Sequence, residues 1–115
     1  MKNLLVNVTL KDVFNAQTGK GFKDAGNEKI SGLLTGYAVT TDEGVNAETG
    51  EIEEKEISLM VVDGNVYSGE SKVIKDRLSA LSELVSEDEI KENGVKVQFD
   101  TIKAGRGTAT TFILL

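Results

Sequence analysis

Glu70-Ser-Lys-Val-Ile-Lys-Asp-Arg-Leu-Ser-Ala-Leu-Ser-Glu-Leu-Val85 is the stretch in which the hydrophobic period of this chain changes. Ile74, Leu78, Leu81 and Val85 recur at spacings of four, three and four, with Val73 and Leu84 beside them, which makes the apolar stripe of one amphipathic helix. The stripe predicts about four turns, starting near Ser68 or Ser71. On both sides the period is two. Upstream, Ile57, Leu59 and Val61 alternate with Met60 and Val62 as far as the turn signal Asp63-Gly64, and Val66-Tyr67 forms a short extension beyond it. Downstream, Ser86-Glu-Asp-Glu89 has the capping-box pattern of a second short helix that Asn93-Gly94 stops. Val95, Val97 and Phe99 then alternate with Lys96, Gln98 and Asp100, and Thr108 to Leu115 reads as the closing strand.

Further out, Leu4 to Val13 alternates well enough to predict a first strand, with Leu4, Val6, Val8 and Leu10 on one face. A polar, glycine-bearing loop follows from Asn15 to Glu28. Lys29 to Thr41 predicts a second strand, in which Gly32 and Gly36 signal a bend or bulge. Asp42 to Glu51 reads as a polar hairpin tip whose acids continue into Glu53, Glu54 and Glu56. The order is three strands, a helix and two strands. That predicts a mainly β fold, a five-stranded antiparallel Greek-key barrel (OB-fold) with an α-helix between strands 3 and 4. Its ligand face is built from strands two and three, with the loops joining strands 1–2 and 4–5. A length of 115 residues suits one such domain over residues 1–115.

The chain has no cysteine, histidine or proline, which removes disulfides, thiolate chemistry, imidazole bases and the commonest metal ligands. No Gly-x-Ser-x-Gly is present, and Gly19-Lys20-Gly21 lacks the spacing of a phosphate-binding P-loop, so no enzyme and no cofactor are expected. The apolar run at the amino terminus is too short for a secretory signal or a membrane span, and the expected place is the cytoplasm with no membrane partner. The net charge of −6 argues at first against a polyanion. The distribution argues otherwise, because seven acids and one lysine fall within residues 42–56, while residues 1–37 and 93–115 each carry a surplus of two cations.

Those cations gather on two loops. Lys20, Phe22 and Lys23 lie on the first, Lys103 and Arg106 on the second. Each lysine or arginine taken alone is ordinary surface charge, but convergence on the two expected ligand loops favours phosphate contacts. Phe22, set between lysines in a polar loop, favours base stacking over anchoring the loop. Phe14, Phe99 and Phe112 read as core. Tyr37 and Tyr67 suit either a barrel rim or the core. The acid run from Asp42 to Glu56 is most simply a solvated hairpin. A metal site is the sharper reading, but the spacing does not match a calcium loop, and a role in docking a partner is a third reading.

Phe14-Asn-Ala-Gln-Thr-Gly19, Phe22-Lys23, Asp63-Gly-x-x-Tyr67-Ser68, Ser71-Lys72 and a final strand pair about a glycine turn make the sequence resemble the small single-stranded-DNA-binding proteins of tailed phages of Gram-positive bacteria, the protein-primed replication type. The resemblance implies a non-enzymatic protein that coats single-stranded DNA without sequence specificity during replication or recombination. It also implies stacking aromatics, with Tyr67 matched by its motif and Tyr37 more loosely, and it adds Lys72 to the expected contacts. Single-stranded DNA is the expected partner. Replication or recombination proteins are a second class, reached through the acidic hairpin, and a homo-oligomer through an edge strand at Phe112 to Leu115 is compatible with the pattern. The acidic tip is where the sequence departs from that family. A competing reading is a protein–protein adaptor that uses the 42–56 hairpin and binds no nucleic acid.

Overall fold

The computed structural model describes residues 4–9, 11–12, 20–45 and 47–115. Its elements run β1 (Leu4–Val6), β2 (Lys20–Gly21), α1 (Phe22–Asn27), β3 (Ser31–Val45), β4 (Ile52–Val62), β5 (Asn65–Gly69), α2 (Lys72–Leu84), α3 (Glu87–Glu92), β6 (Val95–Ala104) and β7 (Gly107–Leu114). The fold is mainly β. One sheet has the order β2-β5-β4-β3-β6-β7, with β1 paired to β3 off that path. Every pairing is antiparallel except the two-residue contact of β2 with β5.

The two helices expected between strands are present, each set by its cap. Ser71 Oγ accepts from the Ile74 N–H at 3.2 Å and starts α2, and Ser86 Oγ accepts from the Glu89 N–H at 3.2 Å and starts α3. They follow the fifth strand of the chain, not the third. Two strands account for the shift: β2 was hidden in the expected loop, and Asn65–Gly69, expected as a mere extension, pairs with β4 as a strand of its own.

The amino-terminal strand is much shorter than expected. β1 ends at Val6, Asn7 takes φ 51°, and Lys11 and Asp12 are helical. The Thr9 N–H donates to Asp12 Oδ2 at 3.0 Å while the Asp12 N–H donates to Thr9 Oγ1 at 3.2 Å, a reciprocal cap that starts a turn where alternation had predicted continued strand. The expected loop from Asn15 to Glu28 also changes, because Lys20–Gly21 is a strand and Phe22–Asn27 a helix, while residues 15–19 and Phe14 lie outside the described residues.

β3 organises the sheet. The bulge anticipated from its glycines falls between Leu34 and Gly36, and the extra residue, Thr35, changes which side chains face inward from Leu34 to Tyr37 and Val39. The Asn7 amide donates to the Thr35 carbonyl at 2.8 Å, and a Cβ on Gly36 would lie 2.5 Å from the Asn7 carbonyl oxygen, so glycine is what lets β1 cross there. On the inner face Leu34, Tyr37, Val39, Met60, Val62, Val97, Phe99 and Phe112 pack beneath Ile74, Leu78, Leu81 and Ile90 of the helices. The opposite face carries a smaller cluster of Ala38, Leu59, Val61 and Val66. Among the described residues no helix is long and apolar enough to cross a membrane.

Beyond this body β3 and β4 continue as a two-stranded ribbon. Asp42 pairs with Lys55, Glu43 with Glu54, Gly44 with Glu53 and Val45 with Ile52. Of the polar tip expected from Asp42 to Glu51, Asp42 to Val45 are strand and Ala47 to Thr49 are the turn that closes the hairpin. Fifteen residues of β3 would span about 46 Å if unbent, close to the 45 Å longest extent of the molecule.

Candidate functional site

β2 and β7 are the two ends of the sheet path, and among the described residues no ladder joins them. The opening between these edges holds a groove of about 550 Å³. One wall is the start of α1, with Phe22, Lys23 and Asn27; a second is the junction of β5 and α2, Ser68 to Val73; the third is Thr101 of β6 with Thr108, Ala109 and Thr110 of β7. Gly26 seats α1 against that third wall, since a Cβ there would lie 2.9 Å from the Thr110 methyl carbon and 3.0 Å from the Asp100 carbonyl oxygen.

Phe22 is not a loop residue with a free ring. It is the first residue of α1 and buried, with its ring 6.1 Å from that of Phe99 and its edge against Gly69, where a Cβ would be only 3.2 Å away. Burial of apolar area outweighs exposure to a ligand at this position, and the expectation of base stacking on Phe22 is corrected accordingly. Tyr67 is likewise buried, its ring 5.2 Å from Phe99 and tilted by 55°. Tyr37 is fully enclosed, and burial, with the Glu87 carboxylate in second place, raises its phenol above the ordinary value. None of the three rings is available to a base in this conformation. The rim alternative weighed for Tyr37 and Tyr67 resolves to the core.

The cations are arranged differently from the rings. Lys23 and Lys72 are exposed and both line the groove, Lys72 as the first residue of α2. Lys103 is exposed and directly opposite Thr108, on the same face of the β6–β7 hairpin as Thr101, Thr108 and Thr110. Arg106 is exposed in the turn that follows, where Gly105 takes φ 57°. Lys20 lies in β2 beside Tyr67, and its side chain is outside the described residues. Other lysines are engaged with acids. Lys29 Nζ sits 2.9 Å from Asp100 Oδ1, which with the Thr101 N–H holds the Asp100 carboxyl below its ordinary value, and Lys75 pairs with Glu56, whose hydrogen bond holds the Lys75 ammonium above its own. Lys23, Lys72, Lys103 and Arg106 make no ion pair with a described residue. Glu70, the acidic residue of the lining, is itself engaged.

The hydroxyls are what sequence reasoning missed. Thr101, Thr108, Thr110 and Ser71 give the groove neutral donors and acceptors between its lysines. Their signal was present as Thr at alternate positions, 108 and 110, but only the Thr101–Thr110 and Lys103–Thr108 register joins them into one wall. The arrangement offers positive charge and hydroxyls to an anionic, hydrogen-bonding chain. No cluster of three or more acidic side chains is placed to hold a metal among the described residues. No protein family, curated protein or solved structure matches this chain.

Proposed function

We propose that this protein binds single-stranded DNA without sequence preference, by laying the sugar-phosphate backbone along the groove between β5 and β7. The observation that carries the reading is the gathering of Lys23 and Lys72 on the groove with Lys103 and Arg106 on the hairpin that forms its wall, all four free of ion pairs to described residues. Counted from β3, five strands with α2 between the third and fourth support the OB-fold arrangement within the mainly β body. On that count the loop between the first two barrel strands is the acidic tip, so of the two usual ligand loops only the one between the fourth and fifth strands, the β6–β7 turn with Arg106, is basic, and Lys23 and Lys72 belong to the seam of the sheet.

With Phe22, Tyr37 and Tyr67 buried, backbone contacts carry the affinity and stacking adds little from these rings. Such a protein reads charge and chain shape, which fits non-specific coating in replication or recombination, as the resemblance to phage single-stranded-DNA-binding proteins implies. Four phosphate contacts give a salt slope for a single strand of about −3. The test is fluorescence anisotropy of a labelled oligo-dT against salt. The expected outcome is binding with that slope, falling to about half for Lys23→Ala/Lys72→Ala; a flat titration at low salt would refute the reading. Intrinsic tyrosine fluorescence should change little, because both tyrosines are enclosed.

A further inference from the structure

We infer that the acidic ribbon of one molecule docks in the basic groove of a second copy, a head-to-tail contact that competes with a polyanion for the same lysines. The ribbon is unpartnered in the sense that matters for a sheet. Among the described residues β1 pairs with β3 only as far as Val39 and β5 with β4 only from Ser58, so no third strand is paired to the ribbon along Asp42 to Val45 or Ile52 to Glu56. An open edge of this kind is a site for pairing with another chain.

Its side chains point to the chemistry of the occupant. Seven of the nineteen acids and one of the thirteen cations fall within residues 42–56, leaving twelve of each in the remaining hundred residues, so the ribbon holds the whole net charge of −6. Near the tip, Val45 and Ile52 face each other while 71% and 72% exposed. Facing β-branched side chains support the strand pairing, and exposed as they are they also give a docking ribbon an apolar contact at its tip.

The complementary surface is on the same chain. The groove presents Lys23 and Lys72, with Phe22 in its lining. Its own ribbon is aimed elsewhere. Ser58 pairs with Gly69 at the groove wall, and from that root the strands run outward as a continuous ladder to Val45 and Ile52. At about 3.3 Å per residue the tip stands about 20 Å beyond Glu56, and returning it to its own groove would break that ladder. A second molecule meets no such cost.

The contact shares its groove with the nucleic-acid reading but needs no nucleic acid. Sedimentation velocity of the full chain tests it, first at about 10 mM salt, where the screening length is about 30 Å, then at about 1 M, where it is about 3 Å. A faster-sedimenting species at low salt that is lost at high salt is expected. Glu51→Lys/Glu54→Lys and Lys23→Glu/Lys72→Glu should each be monomeric alone, and mixing the two should restore association, because one supplies an intact groove and the other an intact ribbon. Oligo-dT should dissolve the wild-type species. A wild-type monomer at low salt overturns the inference whether or not oligo-dT binds, as does association that survives both charge reversals. Capture of polylysine by the ribbon without self-association would also overturn it, by giving the ribbon a foreign basic partner.

Discussion

One ladder, β3 against β4, runs through two environments. From Leu34 to Thr40, opposite Ile57 to Val62, its side chains are covered on both faces, Met60 and Val62 by the main core and Ala38, Leu59 and Val61 by the second cluster. From Asp42 to Val45, opposite Ile52 to Lys55, the same backbone pairing continues, and Val45, Ile52 and Glu54 on it are exposed. Hydrogen bonds exchanged with water contribute little net stability, so the inner half of the ladder stabilises the fold and the outer half is held chiefly by continuity with it. The outer half is accordingly free to carry charge that a core would reject.

Substitutions should separate the two halves. Phe99→Ala, at a ring that is 0% exposed and touches both Phe22 and Tyr67, should cost about 3–5 kcal/mol in denaturant unfolding. If it cost no more than a surface change, the covered half would not be the source of stability. Arg77 Nε donates to the Phe112 carbonyl at 2.6 Å, with its guanidinium 5.6 Å from the Phe112 ring centre, and so ties α2 to the outer edge of β7. Arg77→Ala should lower stability by about 2 kcal/mol and raise amide exchange along β7. Val45→Thr/Ile52→Thr should stay within about 0.5 kcal/mol of wild type by the same unfolding measurement; a larger loss would mean that the ribbon supports the body after all.

The smallest effect is electrostatic. The Asp100 carboxyl is held below its ordinary value by Lys29. Its contribution to stability is therefore complete above the unfolded-state value of about 3.9, and is lost as the pH falls through the lower folded-state value. Lys29→Met should flatten that acid limb in melts recorded against pH. Tyr37 acts at the other end. Its phenol is raised by burial above the ordinary 10.0, so its contribution is present below that value and is lost as the pH rises through the folded-state value.

What was legible in the sequence was local. Ser71 and Ser86 cap their helices within three residues, and the apolar stripe from Ile74 to Leu81 belongs to one element. Lys23, Lys103 and Arg106 could be named because cations on a short helix, near the end of a hairpin strand and in its turn stay exposed. Phe22 was misread because the residues that bury it, Gly69 and Phe99, are remote in sequence, and its neighbours in the chain are polar. The first strand was overextended because Thr9 and Asp12 bond to each other's backbone, a local competition that alternation does not record. The groove itself was invisible for a different reason: it lies where, among the described residues, no ladder closes the sheet between β2 and β7.

That failure to close has a mechanical side. Among the described residues the β6–β7 hairpin is joined to the rest of the sheet only through Ser31 to Leu34 of β3, four residues ending beside the Leu34–Gly36 bulge. That ladder is short, so the hairpin is held against the opposite wall chiefly by side chains: Gly26 of α1 seated on Thr110, Lys29 on Asp100, and Arg77 of α2 on the Phe112 carbonyl. A ligand spanning the seam would act as one more clasp beside these, and slowed amide exchange at Ser31 to Leu34 is the signature it would leave.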